Sequence, residues 1–347
     1  MMPVERVLLA SPRGFCAGVE MAIKALAWMV RVFEPPVYCY HQIVHNEVVV
    51  DRFRQLGVVF VDDLSEVPEG APLMLSAHGS APEVVAAARD NGGVVVDAVC
   101  PLVTKVHHEV KVRANKGYNV VYVGHEGHDE AVGTMAVAPD SVRLVETEDD
   151  VDALDLAADT PVAFLAQTTL SMDEWTGVRD ATHRRFPSMW MPTRSDLCFA
   201  TTNRQSALKA IAREADAFVV IGSANSSNTV ALEKTARSSG CARVVRVNGA
   251  EEVPDDLGGT VGVTAGASAP EELVWAVVRR LAPSNGAEVV TVTNEEEYFP
   301  PPRELRDLLR GAVAAVRFSL MAPTEDEGVL TDDRVAAASD VLDALAG

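Results

Sequence analysis

The chain has 347 residues, 48% of them hydrophobic and 23% charged, which is more than one hydrophobic core usually organises; a mini-scaffold is excluded and two or three packed domains are expected. No run approaches the ~18 apolar residues of a membrane span, so a soluble globular protein is expected. With 30 basic against 50 acidic side chains the net charge is −20, which argues against nucleic acid or an anionic membrane surface as main partner and leaves any anionic ligand to be held by local groups.

Along the chain one pattern recurs: a short Val/Leu/Ile run stops at small, hydroxyl or His residues, and a helical stretch follows. It occurs at residues 6–10 before SPRGFCAG, 37–40 before HQIVHN, 73–75 before SAHGS and 94–96 before DAVCPLVTK. It returns at 120–123 before GHEGHDE, 162–166 before QTTLS, 218–221 before GSANSSN and 260–263 before TAGASAP. Short apolar strands alternating with helices predict parallel α/β sheets buried on both faces. Ligands of such sheets gather at the carboxyl ends of the strands, where helix N-termini also present free amides. Eight strand ends favour several α/β units over one doubly wound sheet, with junctions near 100–101 and 192–198. YFPPP at 298–302 reads as extended chain closing the last unit, and 303–316 reads as a helix. Residues 317–347 carry seven acidic and two basic side chains. Their last part places Val335, Ala338, Leu342 and Leu345 at helical spacing behind an Asp/Thr cap, an appendage outside the chemistry.

Five cysteines, an odd number, are too few for a disulfide framework, and the N-terminal stretch lacks a signal-peptide core; a reducing cytoplasm is expected. Cys39, inside an apolar strand, and Cys241, in a helix-to-strand connection, read as buried inert thiols. Cys16, Cys100 and Cys198 stand in loops after or between apolar runs, one on each proposed unit. Without a CxxC pair, structural zinc and thioredoxin-like exchange are disfavoured. Three isolated thiolates suit an iron–sulfur cluster with one iron left open to substrate; three buried thiols by chance are the other reading.

Among the histidines, His41, His45, His78, His125 and His128 fall in strand-end loops, and His45, His78 and His128 come from three separate ends. Such imidazoles can donate to phosphate oxygens. His107 and His108, in a Val- and Lys-rich helix, read as surface residues. Glu130 reads equally as a proton donor beside a metal site and as a helix-start acid. Thr168 and Thr169, then Ser226, Ser227 and Asn228, then Ser268 each follow a strand and precede a helix. With no P-loop lysine and no GxGxxG, they point to a small phosphate or diphosphate ester held by neutral donors.

The motifs PRGFCAGV, HQIVHN, SAHG, DAVCPLVTKVH, GHEGHDEAVGT, QTTLS, DLCFATTNRQ, GSANSSN and TAGASAP, in this order across about residues 5–310, resemble the 4-hydroxy-3-methylbut-2-enyl diphosphate reductase (IspH/LytB) family. The resemblance implies three similar α/β units with mostly parallel sheets arranged as a trefoil around a central iron–sulfur cluster. The units would span residues 14–100, 101–197 and 198–297, the last completed by an N-terminal strand at 5–13, with 298–347 as C-terminal arm and acidic tail. Cys16, Cys100 and Cys198 would bind one 4Fe-4S cluster per chain. His45, His78, His128, Thr169, Ser226, Ser227, Asn228 and Ser268 would face the diphosphate, and Glu130 would deliver a proton through Thr168. The implied reaction is a two-electron reductive dehydroxylation giving isopentenyl and dimethylallyl diphosphate, with ferredoxin or flavodoxin as electron donor, no nucleic acid or membrane partner, and a monomer or homodimer. Departures from the family pattern stand at Glu20, Met21, Gln42, Val99 and Asp129, the last expected to shift the proton affinity of Glu130. A non-catalytic iron–sulfur sensor or electron carrier, a paralogue with altered substrate, and a Cys/His hydrolase using Cys16 or Cys198 are the alternatives.

Overall fold

The computed structural model describes residues 3–320 and 332–346; residues 321–331 of the acidic tail lie outside the described residues. All eight apolar runs are strands, and every strand pairing in the sheets is parallel. They form three sheets, joined by four further strands: Val58–Val61, Val142–Val145, Arg243–Val247 and Ala287–Thr291. The chain makes two compact units, one of Met1–Cys16 with Leu102–Glu296 and one of Ala17–Pro101 with Glu297–Gly347. No helix among the described residues is long and apolar enough to cross a membrane.

The first unit holds two sheets. The larger runs in the order Arg243–Val247, Ala217–Ile221, Gly259–Ala265, Val4–Ser11, Ala287–Thr291. Alternation along Val4–Ser11 sends Val7 and Leu9 to one face, against Val274 and Val277 of the helix Glu271–Leu281. Leu8 and Ala10 go to the other, against Ala207, Leu208 and Ile211 of the helix Phe199–Ala212. Two covered faces explain the continuous apolar runs. The smaller sheet, Val142–Val145, Asn119–Val123, Val162–Ala166, is sandwiched likewise, with Val121 and Phe164 packed on Trp175 and Val178, and Val120 and Leu165 on Val106 and Val110.

The second unit holds the third sheet, Val58–Val61, Val37–Tyr40, Leu73–Leu75, Val95–Asp97. Its other feature is the C-terminal arm. The helix predicted at the end of the chain begins at Ala338, so Val335 lies ahead of it and is 93% exposed, while Ala338 and Leu342 are buried. This helix, Ala338–Ala346, packs on the helix Ala17–Val32. The Ala338 amide donates to Glu20 Oε2 (3.0 Å), and Lys24, itself buried, lies 3.3 Å from Glu20 and 3.8 Å from Asp333. Tyr298 closes the group through its hydroxyl, 2.8 Å from Asp333 Oδ1.

Because Leu342 is 2% exposed, Leu342→Ala is expected to cost about 2–4 kcal/mol. Val335→Ala should be neutral, and thermal or urea unfolding of the two variants against the parent checks the contrast.

Candidate functional site

Parallel pairing delivers each strand to the same edge of its sheet, so the loops carrying the polar residues emerge side by side. In the first unit the loop after Val4–Ser11 is pinned to the loop after Gly259–Ala265: the Gly14 amide donates to Ala265 O (3.3 Å) and the Cys16 amide to Ala267 O (3.2 Å). Gly14 has φ +68°, a left-handed conformation, and a Cβ there would stand 3.1 Å from Ala269 O, so only glycine fits comfortably. Ala267 also donates its amide to Asn228 Oδ1 (2.9 Å), and Asn228 Nδ2 donates to Thr201 Oγ1 (3.3 Å).

Thr201 leads to the second cysteine. Cys198 is the N-cap of the helix Phe199–Ala212; its Sγ accepts from the Thr201 amide and lies 3.2 Å from the Thr201 hydroxyl as well. Burial pushes the Cys198 thiol up to about 11, and the neighbouring Cys16 pushes in the same direction; the Thr201 hydrogen bonds and the Arg204 charge oppose them. Two thiols close enough to feel each other and free of a disulfide form a soft donor set. Cys16, Cys100 and Cys198 are all part-exposed, whereas Cys39 and Cys241 are buried, as the bystander reading required.

The Cys198 amide donates to Thr168 O (3.0 Å), which ties the cysteine to the acid. Glu130 is 3% exposed; its Oε1 accepts from the Thr168 amide (2.7 Å) and its Oε2 from the Thr168 hydroxyl (3.0 Å). Burial raises its pKa from 4.5 to about 7; the two Thr168 bonds pull it down and the carboxylate of Asp196 pushes it further up. Asp196, distant in sequence, thus adds a small push to that of burial. Asp196 is itself buried and raised to about 6 by desolvation, with Lys105 3.7 Å away drawing it back. Glu130 is a helix-start acid as well: it lies in the first turn of Asp129–Ala136, capped by His128, whose Nδ1 accepts from the Glu130 amide (3.2 Å). That bond assigns the proton of a neutral His128 to Nε2, leaving a ring N–H to donate.

The hydroxyl clusters meet on the same unit. Ser226 caps the helix Ser227–Ser238 by accepting from the Thr229 amide (3.4 Å), and Ser226, Ser227, Asn228 and Ser268 are all buried. Gln167, which the sequence reading passed over, knits them together. Its Oε1 accepts from the His125 amide (2.9 Å), and its Nε2 donates to Thr169 Oγ1 (2.9 Å) and Ser227 Oγ (3.1 Å). His125 Nδ1 lies 3.2 Å from the same Ser227 hydroxyl. Buried hydroxyls beside a helix N-terminus are suited to an oxyanion.

In the second unit, His45, His78 and Cys100 gather at the ends of adjacent strands. The imidazoles of His45 and His78 stack at 3.8 Å with planes 12° apart. Ala77 donates its amide to Ile43 O (3.3 Å), and Cys100 donates its own to Ala77 O (3.0 Å), so the three loops are in register. Gln42 donates to Glu47 (2.6 Å), and Val99 donates its amide to Asp97 (3.0 Å); both are local bonds. One expectation is corrected in the first unit: His107 is half-buried rather than a surface residue, and burial holds its pKa down at about 4. His108 is exposed.

Residues 7–282 match the family described as LytB protein. The chain is 46% identical over 315 residues to the 4-hydroxy-3-methylbut-2-enyl diphosphate reductase of Rhodopirellula baltica, covering 89% of this chain and 98% of that protein. It is 46% identical over 307 residues to the corresponding reductase 2 of Mycobacterium tuberculosis, covering 87% and 92%. Among solved structures, the E-1-hydroxy-2-methyl-but-2-enyl-4-diphosphate reductase of Plasmodium falciparum superposes with a TM-score of 0.86 at 31% identity, covering 90% of this chain and all of that one.

The Glu130 environment has a thermodynamic signature. Its folded pKa of about 7 lies above the ordinary 4.5, so its contribution to stability is full below about pH 4.5 and is lost as the pH rises through 7. Glu130→Gln removes that dependence. Relative to the variant, the parent should lose on the order of 3 kcal/mol between acid and mildly alkaline pH, measured by urea unfolding of both proteins across the range.

Proposed function

The chain belongs to the LytB family of 4-hydroxy-3-methylbut-2-enyl diphosphate reductases, and from that premise we propose a role for each residue of the site. The activity is reductive dehydroxylation of an allylic diphosphate, the last step of the non-mevalonate isoprenoid route, by an iron–sulfur oxidoreductase. Cys16, Cys100 and Cys198 hold one 4Fe-4S cluster. Three part-exposed thiols, with amide and hydroxyl hydrogen bonds aimed at Cys198 Sγ, fit such a group, since hydrogen bonds to the sulfurs are one of the protein's levers on it. When bound, the cluster supplies electrons one at a time and an open iron as Lewis acid.

The single observation that carries the mechanism is the Glu130–Thr168 pair. Loss of hydroxyl as water consumes two electrons and two protons, and a proton must reach the oxygen as the C–O bond breaks. A carboxyl buried at a pKa of about 7 holds that proton near neutrality and can release it there. Thr168, bonded to Glu130 through its hydroxyl, passes the proton on by receiving one from the acid as it gives its own to the substrate oxygen. His128 orients a ring N–H, and with His45, His78, Thr169, Ser226, Ser227, Asn228 and Ser268 it binds the diphosphate. The buried hydroxyls and the helix start at Ser227 stabilise that anion without a cationic side chain, which suits a chain of net charge −20. The electron donor is a small carrier of the ferredoxin or flavodoxin class, and the enzyme works in the cytoplasm as a monomer or homodimer.

Anaerobic purification tests this directly. A brown protein with about four irons per chain is expected, and Glu130→Gln should keep the iron while the rate falls by at least ~10²-fold. Cys100→Ser should strip the cluster and Cys39→Ser should leave the iron content untouched; equal loss from both would contradict the ligand assignment.

A further inference from the structure

Among the described residues Arg204 is the largest fully buried side chain, with no exposed side-chain surface, and the chemistry above does not use it. It stands on the helix that Cys198 caps, two turns on from that cysteine. Its guanidinium grips three stretches of the first unit at once. Nε and Nη2 both donate to Gly14 O (3.0 and 2.8 Å), and Nη2 donates to Phe15 O (3.1 Å). Nη1 donates to Ala200 O (2.9 Å) and to both carboxylate oxygens of Glu295 (2.9 and 3.0 Å). Asn203 Nδ2 holds Glu295 Oε1 from the side (3.0 Å).

Gly14 and Phe15 are the two residues before Cys16, and Ala200 is in the first helical turn after Cys198. One rigid, planar, permanently charged group therefore spans the backbone approaches to both cysteines. Satisfying these carbonyls needs donors in a fixed fork, which only guanidinium offers; an ammonium at the same place is a point with three donors. A buried cation needs a partner, and Glu295, only 16% exposed, is the one provided.

We infer that Arg204, neutralised by Glu295, is a positioning residue that fixes the spacing of Cys16 and Cys198 and sets the local charge against which their cluster is reduced. The inference rests on the proposed ligand set. Hydrogen bonding and net charge around a cluster govern its potential, and reduction adds a negative charge, so unmasking a neighbouring cation favours the reduced state.

Two conservative variants of the anaerobically purified holoenzyme test it, with apo-protein circular dichroism as the check on folding. Glu295→Gln keeps a hydrogen-bond acceptor but uncovers the Arg204 charge. The expected result is undiminished iron with a midpoint potential moved to a more positive value; an unmoved midpoint at full iron overturns the electrostatic role. Arg204→Lys keeps the charge but loses the fork. Loss of at least half the iron, with an altered electron paramagnetic resonance spectrum of what remains, supports the positioning role, and full iron with an unchanged spectrum overturns it. If Arg204→Lys does not fold, the Glu295→Gln potential decides alone. Cys16→Ser and Cys198→Ser, measured beside them, separate the two layers. Iron retained by these cysteine variants sinks the ligand assignment itself, whereas iron lost from them with an unmoved Glu295→Gln midpoint sinks only the inference about Arg204.

Discussion

Parallel pairing is the constraint from which the site follows. A parallel strand cannot return by a hairpin; each must be followed by a crossover, here nearly always a helix, that starts again at the opposite end of the sheet. Every strand of a sheet therefore releases its loop at the same edge, and the helix that follows begins there with unpaired amides. In the first unit the result is a continuous line of hydrogen bonds: His128 to Glu130, Glu130 to Thr168, Thr168 to Cys198, Cys198 to Thr201, Thr201 to Asn228, Asn228 to Ala267 and Ala267 to Cys16. Acid, hydroxyl, thiols and side-chain amide are linked through one another. A displacement at any link is felt at its neighbours, because buried polar atoms have no water to fall back on.

Within that line, opposed forces tune the proton. Glu130 taken out of water would by burial alone hold its proton far too firmly to release it at neutral pH. The two Thr168 bonds stabilise the carboxylate and draw it part of the way back, and Asp196 adds a smaller push upward, so that burial still prevails. The same economy governs the anion. A chain with 20 more acidic than basic groups repels phosphate at long range, so in the proposed assignment the hydroxyls of Ser226, Ser227 and Ser268 and the amides of a helix start would act at contact distance, where net charge counts least.

The strands that were legible in the sequence are those whose ends carry chemistry. Residues 162–166 and 218–221 are apolar throughout and stop at Gln167 and Gly222, and the structure buries both runs completely. The four strands not anticipated, Val58–Val61, Val142–Val145, Arg243–Val247 and Ala287–Thr291, all lie at sheet edges. Arg143, Arg243, Arg246 and Glu288 break the apolar run in three of them, which an edge position tolerates, whereas Val162–Ala166, also at an edge, is buried and stays apolar. The site divides in the same way. Cysteines, histidines and hydroxyls stand out by type, but Gln167 and Arg204 work through long side chains that reach segments 42 and 190 residues away, and sequence spacing carries no sign of that reach. Glu130 reads from sequence as a helix-start acid, which it is, and only its burial, invisible to sequence, sets it apart from a solvated one and favours the proposed role of proton donor.

The C-terminal arm joins two features that the sequence shows as unrelated. Glu20 and the acidic C-terminal extension, which lies beyond the family match ending at residue 282, meet in the second unit. A helix of nine residues is too short to stand alone in water, and its first amides need acceptors. Glu20 Oε2 accepts from Ala338, the first residue of that helix, and so places a carboxylate where the helix dipole favours one. Glu20 also has Lys24 one turn along, and Lys24, buried, needs both Glu20 and Asp333 to hold its charge out of water. Each half supports the other: without Glu20 the Ala338 amide loses its acceptor, and without Asp333 the Lys24 ammonium keeps Glu20 as carboxylate partner. Glu20 and the C-terminal helix form one structural element, built on the helix that begins at the residue after Cys16.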